Sequence, residues 1–371
     1  MNVEAFAVDL DPVSRSRGWH FGHAQIDTCG FRPEPRLAKA SDLIRAAGDH
    51  ADELGRATVR DVCGIAGDVR IGEEVVDGGC KYAGHGYTAF MNHKSISAGP
   101  IRNRAITALQ DAFSRQRPSV VLDDKGYAAE SRDILLPMVS PEDFEADLNA
   151  GNGNELQTKF RAVHSSSALA VNAFAPFRRR IGPLAMPDHG GFKTLAFEQK
   201  CPTGLRRGTP PNLDVLLSGE SGVVGIESKL TEYLTSHRAS FSPAYAEQIQ
   251  DERRERGYFR EMLRLMDAPD SYRWLDAAQL IKHAFGLAKT YSDRPVTLLY
   301  LFWEPANPSV SPVFAEHRRE VAAFAERVAG SLPMFKAMSY AELWSAWCDA
   351  GQQDWLARHV EELRARYEVT L

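Results

Sequence analysis

With 371 residues, 44% of them hydrophobic, the chain is long enough to bury a large core as one elaborated domain or two. A net charge of -5 argues against a protein that coats nucleic acid electrostatically, while leaving room for an enzyme with a local basic groove. No run of about 18 apolar residues could cross a bilayer, and Met1 to Pro12 carry Glu4, Asp9 and Asp11 instead of a basic stretch followed by an apolar block, so a cytoplasmic protein with no membrane partner is expected.

Residues 1–100 give little periodic signal and contain glycine-rich stretches such as Asp77-Gly-Gly-Cys80 and Ala83-Gly-His-Gly-Tyr87, which reads as an irregular or partly disordered segment. The five cysteines are odd in number and form no Cys-x-x-Cys pair, so neither a disulfide framework nor a zinc ribbon is indicated. Cys63, Cys80, His85 and His93 have the residue types of a zinc site but none of the familiar spacings.

The folded domain is expected over 101–371. From Arg102 to Gln116 the apolar positions Ile106, Leu109, Ala112 and Phe113 recur at helical spacing. A second helix is predicted from Asn154 to about Phe174, with Asn154 as its cap and Glu155 in a first turn that suits the helix dipole. Lys193 to Lys200 reads as a strand whose alternation puts Ala196, Glu198 and Lys200 on one face. From Lys159 to Arg207 basic residues outnumber acidic ones, and Arg206 and Arg207, in a Gly/Pro-rich loop, are candidates to grip backbone phosphate.

Asn212 to Leu230 reads as a hairpin. If Glu220 and Ser221 form the turn between Gly219 and Gly222, opposed residues share a constant index sum and Asp214 faces Glu227. Lys229, two residues on from Glu227, lies on the same face. Like charges opposite one another destabilise a ladder, and a hard divalent cation would resolve the conflict. Glu198 reaches this cluster only if its strand face is the Asp214 face.

Further helices are predicted from about Pro243 to Met266 and from Leu275 to Lys289, the latter with Gln279, Lys282 and His283 off its apolar face. Val296 to Trp303 is an apolar run of strand length, as in a strand covered on both sides. The tail reads as helix around Val321, Phe324 and Val328, a short extended piece near Met334, and helices capped by Ser339. His164-Ser-Ser-Ser167 lacks the Gly-x-Ser-x-Gly elbow of a serine hydrolase, and no phosphate-binding glycine loop is visible.

Asp214 followed by Glu227-Ser228-Lys229 resembles the core motif of the PD-(D/E)xK nuclease superfamily, with the signature proline displaced slightly to Pro210-Pro211. The order helix, three strands, helix, strand matches that superfamily's core. The resemblance implies an α/β fold, a restriction-endonuclease-like αβββαβ core with a mixed central sheet flanked by helices, plus helical additions at both ends. It also implies magnesium or manganese held by Asp214, Glu227 and the Ser228 carbonyl, with Lys229 acting on the attacking water. Glu155 matches the acid of the first core helix, and Gln279 with Lys282 the polar pair after the catalytic strand. Two functions stay open: metal-dependent hydrolysis of nucleic acid, with DNA expected, or a catalytically silent module binding nucleic acid or protein on the same fold.

Overall fold

A computed structural model of the protein describes residues 99–151, 155–205, 210–246, 255–349 and 353–371. The chain divides into two units, Met1–Ala89 and Phe90–Leu371, and every described residue belongs to the second. The irregular segment expected over 1–100, and with it Cys63, Cys80, His85 and His93, therefore lies almost wholly outside the described residues. So do Asn154, Arg206 and Arg207.

Five strands make one sheet in the order β1 (Phe192–Lys200), β2 (Asn212–Gly219), β3 (Gly222–Lys229), β4 (Val296–Phe302) and β5 (Met334–Ser339). The first three are antiparallel, with a tight turn joining β2 to β3, while β3–β4 and β4–β5 are parallel, the arrangement that helical crossovers between strands permit. This is an α/β fold with a mixed sheet, consistent with a restriction-endonuclease-like core. The extended piece near Met334 is a fifth strand.

The helices are α1 (Gly99–Gln116), α2 (Glu145–Ala150), α3 (Ser166–Phe174), α4 (Pro243–Ala246), α5 (Arg256–Asp267), α6 (Ala277–Thr290), α7 (Pro312–Val328), α8 (Tyr340–Asp349) and α9 (Asp354–Tyr367). Period-two alternation sorts the strands between two apolar layers. Val224, Ile226, Leu299 and Leu301 pack with α1, α3, α8 and α9, whereas Val223, Leu298, Tyr300 and Phe302 pack with α5, α6 and α7. All seven β4 residues are buried, the pattern of a strand covered on both faces. At Gly225 a Cβ would lie 2.9 Å from Leu287, so α6 sits closer to the sheet than any other residue there allows.

Ser339 opens α8 with a reciprocal box, its Oγ accepting from Glu342 N at 3.2 Å while its own N–H donates to the Glu342 carboxylate. The second predicted helix is shorter than expected. A 3₁₀ turn covers Lys159–Arg161 and the α-helix begins only at Ser166, with Ser165 Oγ accepting from Ala168 N. The backbone just before it is committed elsewhere, since Ala128 N donates to Arg161 O and Val163 N to Gly126 O. Glu155 is thus in a loop and not in a first helical turn. Among the described residues, no helix is long and apolar enough to cross a membrane.

Candidate active site

The β2–β3 hairpin keeps the index sum read from the sequence. Gly219 pairs with Gly222 and Val215 with Ile226, and Gly222 supplies the turn with φ +137°. The regular ladder stops at Val215–Ile226. One step further, Ser228 N donates at 2.7 Å to Asp214 Oδ2, so a side chain takes the place of a backbone partner.

Asp214 coincides with a break in alternation. Val215 and Leu217 pack in the α1/α3 layer, yet Leu213 packs in the α6 layer. On β1 the position between Phe197↔Val215 and Gln199↔Leu213 is Glu198, whose φ of +47° is rare for a residue with a side chain. Backbone strain of this kind persists only where the surroundings enforce it and concentrates at functional sites. The paired irregularity turns both acids into one cleft of about 470 Å³ at the sheet's end, between the start of α3 and α6.

Asp214, Glu227, Lys229, Glu155, Glu198 and Gln279 all line this cleft. Lys229 Nζ donates to Glu227 Oε1 and, at 2.9 Å, to Gln279 Oε1. Ser167 Oγ donates to Glu155 Oε1 at 2.5 Å, so the first turn of α3 holds this acid although Glu155 itself is not helical. Asn212 Nδ2 donates to Glu198 Oε2 at 3.1 Å. Ser228 is buried, its hydroxyl 2.7 Å from Tyr340 Oη. The structure thus assembles the six candidate residues from a loop, three strands and a helix.

The cleft's charges are unevenly settled. Burial pushes the Asp214 carboxyl well above its ordinary range, and the neighbouring Glu227 and Glu198 push it the same way. Burial, with Glu155 beside it, raises Glu198 to about 7 despite the hydrogen bond from Asn212. Burial also works against the Glu227 anion, but Lys229 and His283 outweigh it and hold that carboxyl at about 2. Lys229, which burial alone would discharge, is kept above its usual value by Glu227 and Asp214. The site thus holds one firm anion at Glu227 and one firm cation at Lys229, beside an Asp214 carboxyl whose ionisation is opposed by burial and by the neighbouring acids.

His283 is placed by the sequence with Gln279 and Lys282 off the apolar face of α6, with no role indicated for it. It is fully buried, with Nε2 at 2.8 Å from Glu227 Oε2 but off the line of a hydrogen bond, leaving Glu227 Oε2 and both ring nitrogens without hydrogen-bond partners among the described residues. The i, i+4 spacing to Gln279 was the available signal. At about 100° per residue, His283 falls about 40° to one side of Gln279 and Lys282 about 60° to the other. Lys282 accordingly leaves the cleft and sets its ammonium over the Phe241 ring, 5.4 Å from the centroid.

Among the described residues, no three His, Cys, Asp or Glu side chains form a ready-made metal-binding group. Magnesium needs less, since it commonly takes one or two carboxylates and keeps several waters. The donors here fit a hard cation: carboxylate oxygens from adjacent strands, one of them buried without a hydrogen bond, and an Asp214 whose charged form the neighbouring acids oppose. No curated protein and no solved structure matches the chain. A family profile described as "Restriction Endonuclease associating with ARP" matches residues 107–368. That span runs from α1 to the end of α9 and includes every described residue of the cleft except Arg102, so the chain belongs to this restriction-endonuclease-like family.

Proposed function

We propose that the protein is a nuclease of the PD-(D/E)xK type that hydrolyses phosphodiester bonds of nucleic acid, with DNA the expected substrate and magnesium or manganese the cofactor. The observation that carries this reading is the convergence of Asp214, Glu227 and Lys229 at the open end of one hairpin, in a cleft accessible to solvent. Asp214, Glu227 and the Ser228 carbonyl would hold the cation. It would acidify bound water and neutralise charge growing on the phosphate.

The chain's own groups then have definite tasks. Lys229, fixed between Glu227 and Gln279, presents a cation to the attacked phosphate and orients the water. Gln279 limits its rotation. Glu198, poised near 7, can take a proton in this pH range. Glu155 is the further acid at the rim. Hydrolysis forms one bond from water oxygen to phosphorus and breaks one from phosphorus to the ester oxygen, which leaves with a proton.

The test is incubation of plasmid and linear DNA with purified protein in magnesium, in manganese and in chelator, beside Asp214→Ala and Lys229→Ala. Chelator-sensitive cutting that both substitutions abolish is the expected result. Equal background in every sample would sink the hydrolytic reading and leave a binding module on the same fold.

A further inference from the structure

A second polar cleft, of about 370 Å³, adjoins the first, and the two share Arg102, Tyr127 and His164 along their boundary. One wall is the outer face of α1, where Asn103, Thr107 and Gln110 stand opposite the buried Ile101, Ala105 and Leu109. The other wall is the loop carrying Lys125 and Tyr127.

This loop is preformed. Asp123 Oδ1 accepts from Lys125 N and Tyr127 N, each at 2.9 Å, and Asp123 N donates to Tyr127 O. Gly126 has φ +83°, a left-handed backbone that favours glycine, and packs against the end of the Gln110 side chain.

Neither Arg102 nor Lys125 forms an ion pair among the described residues, although Asp124 also lines this cleft and Lys125 favours the Asp123 anion. Arg102 Nε is buried and has no hydrogen-bond partner among the described residues. Lys125 is exposed, as are Asn103 and Thr107. A cation with open hydrogen-bonding capacity, next to a cleft whose reading requires a phosphate, is the arrangement that grips a phosphodiester backbone.

We propose that Arg102 and Lys125 bind the backbone phosphates flanking the one attacked, so that the strand leaves the acidic cleft along α1 past Asn103 and Thr107. Resting on the nucleic-acid reading above, the inference adds the path of the strand and the residues that hold it. Phosphate contacts fix position without reading sequence, so the affinity this track supplies is salt-dependent and tolerant of sequence.

The test measures binding of a short fluorescein-labelled DNA duplex, and of an RNA duplex of the same sequence, to full-length protein across a salt series. Measurements use the Lys229→Ala background with magnesium, so that bound duplex stays intact. Arg102→Gln with Lys125→Ala is expected to weaken binding at least about tenfold and to reduce the slope of log K against log salt by about 2. Thr107→Glu, at an exposed position that places no demand on folding, is expected to weaken it in the same direction. Unchanged affinity and slope in the double variant and in Thr107→Glu would overturn the track while leaving cleavage by the wild-type chain standing. Binding that is sensitive to these variants in a chain that never cleaves would uphold the track and end the hydrolytic reading. A preference of the RNA probe with the same sensitivities would keep the track and change the substrate.

Discussion

The two ends of the β2–β3 hairpin make opposite use of the same antiparallel pairing. At the closed end, Gly219 and Gly222 complete the ladder through a tight turn, and Val223, Val224 and Leu217 are buried in well-packed apolar layers. At the open end the ladder yields to the Asp214 side chain, and a buried Glu227 stands beside the half-buried Asp214 and Lys229, where burial of charged groups carries a desolvation cost. The difference shows where the chain specifies its fold and where it carries an energetic cost for chemistry.

The largest effect that tests this contrast separates activity from stability at the open end. Asp214→Asn keeps an acceptor for Ser228 N but removes an ionisable group whose charged form Glu227 and Glu198 oppose. Cleavage should fall by about 10²–10⁴-fold, while the thermal midpoint in chelator stays level or rises. A midpoint lowered by several degrees would mean that Asp214 stabilises the fold after all. A smaller loss is expected for His283→Leu, where Glu227 keeps Lys229 but loses its second contact. Turnover should drop by about 10–100-fold, the usual range for a partner of a metal-holding group, and turnover equal to wild type would remove His283 from the site.

The closed end should respond in the reverse sense. Gly222→Ala forces a Cβ to within 2.5 Å of Pro295 O at a φ that L-residues avoid, with destabilisation of about 1–3 kcal/mol in denaturant titration. Cleavage per folded molecule should be unchanged, and a parallel loss of activity would show that the two ends are coupled.

The smallest effect is in pH. Glu198 is raised in the fold to about 7 from 4.5, so the folded state binds its proton more tightly than the unfolded state. Its contribution is fully present below about 4.5 and is lost as pH rises through about 7. With partial solvent screening, the amount is about 1 kcal/mol. Buried His317 and His359, lowered to about 3 and 4, slope the other way, so the quantity to measure is wild type minus Glu198→Gln in chelator. A flat difference from pH 4.5 to 7 would show that Glu198 is not held up by the cleft.

Much of the fold was legible because its signals are local. The apolar run of β4, the periodic stripes of α1 and α6 and the Ser339 cap each depend on neighbours a few residues away. The helix expected from Asn154 failed for a non-local reason, since residues 126–128 capture its backbone groups. Alternation along β1 placed Glu198 only conditionally, and the break at φ +47° is not visible in residue types. Lys282 looked equivalent to Gln279 until the orientation of α6 against the sheet separated them.

By itself the sequence determined the hairpin and its register, and with them the placing of Asp214 and Glu227 together at its open end, because a two-residue turn fixes pairing without help from the rest of the chain. Only the tertiary structure decided which other groups share their cleft. Glu155, Glu198, Gln279 and Arg102 arrive from separate elements, and their meeting depends on strand order and helix docking, which are set by burial of surface across the whole domain and leave no spacing to read.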